Sequence, residues 1–573
     1  MPRSNEVVQA LLQEYADLLA ISGGDPFRVR TYEKAARSIG GYHAEVSSLD
    51  QKGLEAIPSV GKSTAGKVEE ALRTGTFAAL EDLRAAVPSG VRQMMAISGL
   101  GPKKAMLLYR DLGISSVEEL AAAIDAGRLK GLRGFGDRTE ENILRGIALV
   151  QESGARVQIN VAMELAEDVI GRLGGLKETR QIAYAGSLRR MAETIGDVDI
   201  LVAATKPAPV MEAFASLPNV ERVIARGETK TSIRTIQGLQ VDLRVITPDV
   251  WGAALQYFTG SKAHNIRTRE IAVRKGLKLS EYGLFDAKSG ELIVARTEEE
   301  VYERLGLPWI APTLREDRGE IEAALRGELP TLVQEKDIKG DLHTHTNLTD
   351  GLAPLEEMIA AARGRGYAYY AVTDHAPNLY MQRMTDAKML TQRKRVRQLE
   401  ADGKMVLLHG SELNIDANGD VDWGPEFLAG FDVCVASVHG EFTQSKDEMT
   451  RRIVRACENP YVNIIGHPTA RMIGRRAPIE FDLDEVFRAA ARTGTALEIN
   501  SYPDRLDLRD EHVLWAKRHG VKFAIDTDSH ATVHLPFLRY GIGTAQRGWL
   551  SKDDVINTWP LAKLRKFLRK GRA

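Results

Sequence analysis

Beyond residue 338 the chain repeats one pattern seven times: a short apolar strand, a polar residue of the metal-ligand type at its end, then a helical stretch. The expected strands cover residues 339–343, 367–373, 404–410, 432–438, 462–466, 495–500 and 521–525. Strands joined through helices pair in parallel, with the connections running over the faces of the sheet. Their C-terminal ends then share one edge. At those ends stand His343 and His345, Asp374 and His375, Glu412, His439, His467, Asn500, and finally Asp528 and His530. Polar residues gathered at the C-terminal ends of parallel strands are what a barrel with one reactive face requires, and a distorted (β/α)7 barrel is expected. Imidazoles and carboxylates supplied by separate strands suit several metal ions rather than one, and Mn²⁺, Zn²⁺ or Fe²⁺ match such a mixed set. His264, His409, His512, His519 and His534 fall outside this pattern and read as hydrogen-bonded structural histidines.

A second constraint lies at residues 186–201, GSLRRMAETIGDVDIL. Asp197 and Asp199 alternate with Val198 and Ile200, so on a strand both carboxylates share one face. A third carboxylate, Asp242, sits in the strand-like run 239–246, LQVDLRVI. An Asp-x-Asp pair alone is ordinary on a solvated surface. Here it follows Gly186-Ser187 at a helix start, where backbone N–H groups suit a phosphate, and Arg189 and Arg190 add positive charge. Three carboxylates on adjacent strands can hold two Mg²⁺ ions for an in-line phosphoryl displacement.

With 573 residues the chain should form several domains, and 43% hydrophobic with 27% charged residues is ordinary for a soluble protein. No apolar run is long enough to span a membrane, and the N-terminus MPRSNEVVQALL lacks signal-peptide architecture, so a cytoplasmic protein is expected. Cys434 and Cys457 have no metal spacing and read as buried thiols. A net charge of −1 gives no global attraction to nucleic acid, so any contact with it would have to be local.

Residues 5–21 read as an amphipathic helix, and residues 27–39 as another with Arg28, Arg30, Lys34 and Arg37 on a basic side. Three glycine turns between helices follow: residues 54–75 with Gly61, 95–107 with Gly99 and Gly101, and 129–144 with Gly134 and Gly136. These resemble helix-hairpin-helix motifs, whose turns offer backbone N–H groups to a DNA phosphate. Residues 313–337 read as a charged linker or as a helix packed on one half. The C-terminal stretch 561–572 carries six basic and no acidic residues and reads as a solvated helix end or a DNA-backbone contact.

The block around Asp197 and Asp199, with YFTGSKAHN at residues 257–265, resembles the nucleotidyltransferase core of family X DNA polymerases. DLHTH, TDH, GSEL, SVHG, GHP and DTDSH resemble the polymerase and histidinol phosphatase (PHP) family. The resemblance implies a multidomain chain: an N-terminal helical domain (1–90), a helix-hairpin-helix subdomain (91–150), an α/β palm (151–250), a nucleotide- and template-binding subdomain (251–313), a linker (314–337) and the PHP domain (338–573). It implies Asp197, Asp199 and Asp242 as catalytic Mg²⁺ ligands, and nucleotide contacts from Gly186, Ser187, Arg190, Tyr257, Phe258, Gly260 and Asn265, with Arg269 near the template. It implies a site for up to three metals at His343, His345, Asp350, His375, Glu412, His439, His467, Asp528 and His530. Lys67 falls where the family places the Schiff-base lysine of a 5′-deoxyribose phosphate lyase, although an exposed helical lysine is usually just solvated. Gln240 and Lys262 depart from the family pattern near the third aspartate and the nucleotide base. The implied protein is a monomeric gap-filling polymerase using deoxynucleoside triphosphates and gapped or primed DNA, with a 3′–5′ exonuclease in the PHP domain. Two other readings stay open: a polymerase fused to a small-molecule phosphatase, and a DNA-end scaffold with feeble polymerase activity.

Overall fold

The structure, a computed structural model, describes residues 4–570 except 43, 88–90, 92–93, 95–96, 98–99, 101, 131, 133–134, 137–138, 141–142, 145–146, 148–155, 380–381, 383 and 402–404. The chain opens with α1 (Ser4–Ile21) and α2 (Pro26–Gly40). Asp25 starts α2 by accepting a hydrogen bond from the Phe27 N–H, with Pro26 in the first turn, where a missing N–H costs nothing. α3 (Lys62–Thr74) begins at the exposed Gly61 and stops at Gly75, whose φ of +79° favours glycine. α4 (Pro102–Leu112) and α5 (Val117–Asp125) follow. Leu12, Tyr15, Phe77, Leu108 and Leu120 belong to one apolar core, so both helical segments pack as a single unit. Gly99, Gly101 and Gly134 lie outside the described residues; Gly136 is exposed.

After α6 (Ile159–Gly174) comes a five-stranded sheet of β1 (Thr179–Tyr184), β2 (Asp197–Ala204), β3 (Val220–Arg226), β4 (Lys230–Thr235) and β5 (Gln240–Ile246), in the order β1-β2-β5-β4-β3. A single turn, α7 (Gly186–Arg189), leads into β2. β2 is parallel to β5, in a register that sets Asp199 opposite Asp242. α8 (Trp251–Thr259) and α9 (Lys262–Arg274) precede a small three-stranded antiparallel sheet.

Residues 314–326 do not form an open tether. Leu314, Ile321 and Ala324 join the apolar core around Ile271 and Tyr302. Arg315 is fully buried and binds Glu298 at 2.6 Å, and Arg189 grips the same carboxylate with two hydrogen bonds of 2.9 and 2.8 Å. His264 is likewise structural, held between Glu320 (2.7 Å) and the Tyr302 hydroxyl (2.8 Å).

The C-terminal half builds a six-stranded, all-parallel sheet in sequential order: β6 (Tyr369–Val372), β7 (Val406–Asn414), β8 (Val433–Ser437), β9 (Ile464–Ile465), β10 (Ala496–Asn500) and β11 (Phe523–Asp526). The segment expected as the first of seven strands is not a regular strand. It still bridges the two edges: the Ala371 and Thr373 N–H groups donate to the Asp341 and Thr344 carbonyls, and the His345 N–H donates to the Ser529 carbonyl. Asp341 breaks the regular ladder by accepting from the Thr527 hydroxyl and the His343 N–H. The basic C-terminal helix α10 (Leu561–Leu568) buries Leu564 and Leu568. Lys570 beyond it donates to three carbonyls, of Cys457, Asn459 and Val462, so this end of the chain seals the sheet.

The two halves are joined directly. Leu506 and Tyr540 of the C-terminal half enter the core of the β1–β5 sheet. Arg471 binds Glu193 through two nitrogens, and Arg547 bridges Glu316 (2.7 Å) and the Arg190 carbonyl (2.8 Å). Among the described residues no helix is long and apolar enough to cross a membrane.

The Glu298 network yields a stability prediction. Burial alone would raise this carboxyl, but the Arg315 charge and the hydrogen bonds from Arg189 and Arg315 outweigh it and bring its pKa to about 2. The contribution should be complete above about pH 4.5, the unfolded value, and lost as pH falls toward 2. Glu298→Ala leaves two guanidinium groups without their carboxylate and should cost about 3–5 kcal/mol in denaturant unfolding at neutral pH. The difference from the parent should shrink at acid pH.

Candidate active sites

Asp197, Asp199 and Asp242 come together at the start of β2 and β5. Burial and the charges of Asp197 and Asp242 raise the Asp199 pKa to about 7. Asp242 goes the other way: burial works to raise it, but Lys230, Ser232 and Gln240 hydrogen-bond its carboxylate and lower its pKa. Lys230 Nζ lies 2.6 Å from one Asp242 oxygen and Gln240 Nε2 lies 2.9 Å from the other. Gln240 thus orients the carboxylate without adding charge. Lys230 had no motif to mark it and went unnoticed in the sequence. The site crowds acids whose repulsion a divalent cation relieves.

Gly186 must be glycine: its φ is +59°, and a β-carbon there would lie 2.4 Å from Asp199 Oδ2. The arginines behind it do not both point at a free phosphate. Arg189 is bound to Glu298, and Arg190 binds Glu316 at 3.0 Å and the Thr259 carbonyl at 2.6 Å. Arg189 therefore ties the sheet to the following subdomain, a role the sequence reading did not give it.

Tyr257 and Phe258 stand edge to face at 5.2 Å, with the Arg244 guanidinium 4.6 Å from the Phe258 ring. Asn265 is buried, donating to the Tyr257 carbonyl and accepting from Gln256. Gly260, at φ +69°, approaches Arg190. Arg269 stays exposed on α9.

The second constellation centres on Glu412, inside the long strand β7 rather than beyond its end. Its Oε1 lies 3.0 Å from both His439 Nε2 and His467 Nε2; its Oε2 lies 2.9 Å from His375, 3.4 Å from His343 and 3.5 Å from His345. Asp528 stands 3.1 Å from His345, and Asp350 stands 3.3 Å from His530 and 3.4 Å from His375. Three overlapping groups have donor atoms within 4.8 Å of one another: His345, Asp350, His375 and His530; His343, His345 and Asp528; and His375, Glu412 and His439. Among the described residues, buried nitrogens of His343, His345, His375, His439 and His467, and one Asp350 oxygen, have no hydrogen-bond partner. Orphaned donor atoms of this kind fit metal ions. His467 (φ +27°) and Asp528 (φ +51°) adopt left-handed backbone, strain of the sort that concentrates at reactive sites.

A supporting layer orients these groups. Glu498 on β10 accepts from His343 Nδ1 at 2.6 Å and from the His467 N–H, which leaves His343 Nε2 facing the cluster. Asn500 reaches Asp528 at 3.1 Å and Gln382 reaches Asp350 at 2.8 Å. Arg505 lies 3.7 Å from Asp528, with one buried guanidinium nitrogen that has no hydrogen-bond partner among the described residues. The sequence pattern did not single out Glu498 or Arg505. The period-two alternation of β10, which puts Glu498 and Asn500 on one face, was the available signal. Removing such a support typically weakens metal binding about 10–100-fold. Glu498→Ala is accordingly expected to retain less metal than the parent after dialysis, as measured by elemental analysis, with the fold unchanged by circular dichroism.

Lys67, on α3, donates to the Ser63 hydroxyl at 3.1 Å, with its ammonium 5.5 Å from the Tyr32 ring and 5.9 Å from the Tyr15 ring.

Comparison with known proteins assigns the segments. Residues 3–77 match a helix-hairpin-helix domain, 91–148 a helix-hairpin-helix tandem, 254–316 the DNA polymerase beta thumb and 341–502 the PHP domain. DNA polymerase/3'-5' exonuclease PolX of Bacillus subtilis (strain 168) is 35% identical over 564 residues, 98% of each chain. DNA polymerase lambda of Rattus norvegicus is 27% identical over 51% of this chain and 53% of its own. A probable phosphatase of Thermoanaerobacter sp. (strain X514) is 28% identical over 40% of this chain and 94% of its own. With an identity of 35% sustained across nearly the whole of both chains, this protein belongs to the family X DNA polymerases that carry a C-terminal PHP domain.

Proposed function

We propose that the protein is a cytoplasmic, monomeric DNA-directed DNA polymerase that fills short gaps during repair and removes 3′-terminal nucleotides at a second, separate site. The observation that carries this reading is the 98% coverage of a relative named for both activities, with an acid-rich cluster present in each half.

At the first site Asp197, Asp199 and Asp242 would hold two Mg²⁺ ions, which neutralise phosphate charge and assist the in-line displacement. The 3′-hydroxyl oxygen of the primer bonds to the α-phosphorus of the incoming nucleotide, pyrophosphate leaves, and the hydroxyl proton passes to solvent. Tyr257, Phe258 and Gly260 shape the sugar pocket, Asn265 meets the base, Gly186 and Ser187 receive phosphate, and Arg269 contacts the template. Gly61, Gly99, Gly101, Gly134 and Gly136 present backbone N–H groups to the DNA backbone. Asp242→Ala should reduce extension of a gapped primer about a thousandfold or more while leaving degradation largely intact. Near-normal extension would remove these aspartates from the site.

At the second site His343, His345, Asp350, His375, Glu412, His439, His467, Asp528 and His530 would hold up to three Mn²⁺ or Zn²⁺ ions, which lower the pKa of water and neutralise the phosphoester. Water adds to phosphorus, the P–O3′ bond breaks, and a nucleoside 5′-monophosphate is released while the shortened strand keeps its 3′-hydroxyl. Replacing His343 and His345 together by alanine should eliminate primer degradation at every metal concentration and spare extension; chelation should abolish both. A phosphatase reading is favoured by the 28% identity to a probable phosphatase. Release of phosphate from small monoesters, without nucleotide release from DNA, would establish it instead.

We further propose Lys67 as a lyase nucleophile, its amine condensing with the sugar aldehyde and releasing water. Borohydride should trap the protein on a 5′-deoxyribose phosphate end, and Lys67→Ala should lose the adduct.

A further inference from the structure

A cavity of about 230 Å³ lies against the second site, and its walls come from both ends of the chain. Asp350, Asp528, His530 and Arg505 line it from the C-terminal half, and Gln9 and Arg37 line it from α1 and α2. The N-terminal domain is seated closely there. A β-carbon at Gly41 would lie 2.1 Å from Leu352 Cδ1 and 3.1 Å from Ala531 Cβ, on the two loops that carry Asp350 and His530. Asp17 of α1 also interacts electrostatically with Arg475 of the C-terminal half.

We propose that α2 completes the phosphoesterase site, with Arg37 acting as a positioning residue that holds the phosphate of the substrate from the N-terminal side of the cavity. Arg37 stands in the last turn of α2, is exposed, and its guanidinium has no hydrogen bond or ion pair among the described residues. Asp504, which is outside the ligand set, lines the same space and repels an approaching phosphodiester. Arg505 answers part of that charge from within 3.7 Å of Asp528, and Arg37 supplies a second guanidinium from a separate domain. A guanidinium binds a phosphate through two N–H groups at fixed geometry, which favours one orientation of the ester. The volume is below that of usual small-molecule sites.

This inference rests on the exonuclease reading, and the test separates the two. The full-length protein is assayed on a labelled DNA trinucleotide, too short to reach the helix-hairpin-helix turns, and on a long single strand, with gap filling as a folding control. Arg37→Ala should raise the trinucleotide KM about tenfold or more with little change in kcat, a loss suited to one charge-assisted contact. Arg37→Lys should restore part of it, and Gly41→Val, which pushes α2 off Leu352 and Ala531, should reproduce the defect. An unchanged trinucleotide KM in both Arg37→Ala and Gly41→Val overturns the inference alone, as does a defect confined to the long strand. A parent protein that cleaves neither substrate overturns the exonuclease reading and this inference with it.

Discussion

Carboxylates gathered at the ends of strands are the constraint around which this chain is arranged. Burying like charges together costs several kcal/mol unless cations or hydrogen bonds offset them. In the first half Asp199 answers that cost with a pKa raised to about 7, while Asp242 borrows the Lys230 ammonium. In the second half Glu412 stays ionised although buried, because the surrounding imidazoles outweigh its desolvation. Both arrangements gather groups that could hold a metal ion.

The two platforms are held by different means. Asp199 and Asp242 depend on the register of two parallel strands, so a slip by one residue would turn one carboxylate away. The second cluster depends on Glu412 within β7, on the loops after β6, β8, β9 and β11, and on Glu498, which ties His343 and His467 into one geometry. Arginines then bind the halves together, Arg471 to Glu193 and Arg547 to Glu316, with Leu506 and Tyr540 sharing an apolar core across the junction. An extending and a degrading site are thereby joined to one DNA-binding body, which would let a primer end pass between them.

Much of this was legible in the sequence because the chemistry was local. Asp197-x-Asp199 and His343-x-His345 declare themselves by spacing, and the parallel grammar placed the other ligand-type residues on one edge. What stayed hidden depended on partners far along the chain. Arg189 looked like a phosphate contact, but Glu298, more than a hundred residues away, claims it. The first C-terminal strand is suggested by its place in the repeating pattern, yet side-chain hydrogen bonds to Asp341 break its ladder. Residues 314–326 are charged enough to suggest a tether, and only the burial of Arg315 against Glu298 shows why they fold inward. The approach of α2 to His530 leaves no periodic trace in the sequence.

The central claim is that one chain both lengthens and shortens the same DNA 3′ end at two distinct centres. The most direct measurement follows an internally labelled gapped duplex with the unaltered protein and a divalent metal, with deoxynucleoside triphosphates supplied or withheld. The account predicts a primer lengthened to the end of the gap when they are present, and a shortened primer with free nucleoside 5′-monophosphate when they are withheld. Extension with no monophosphate released under any metal condition would contradict it.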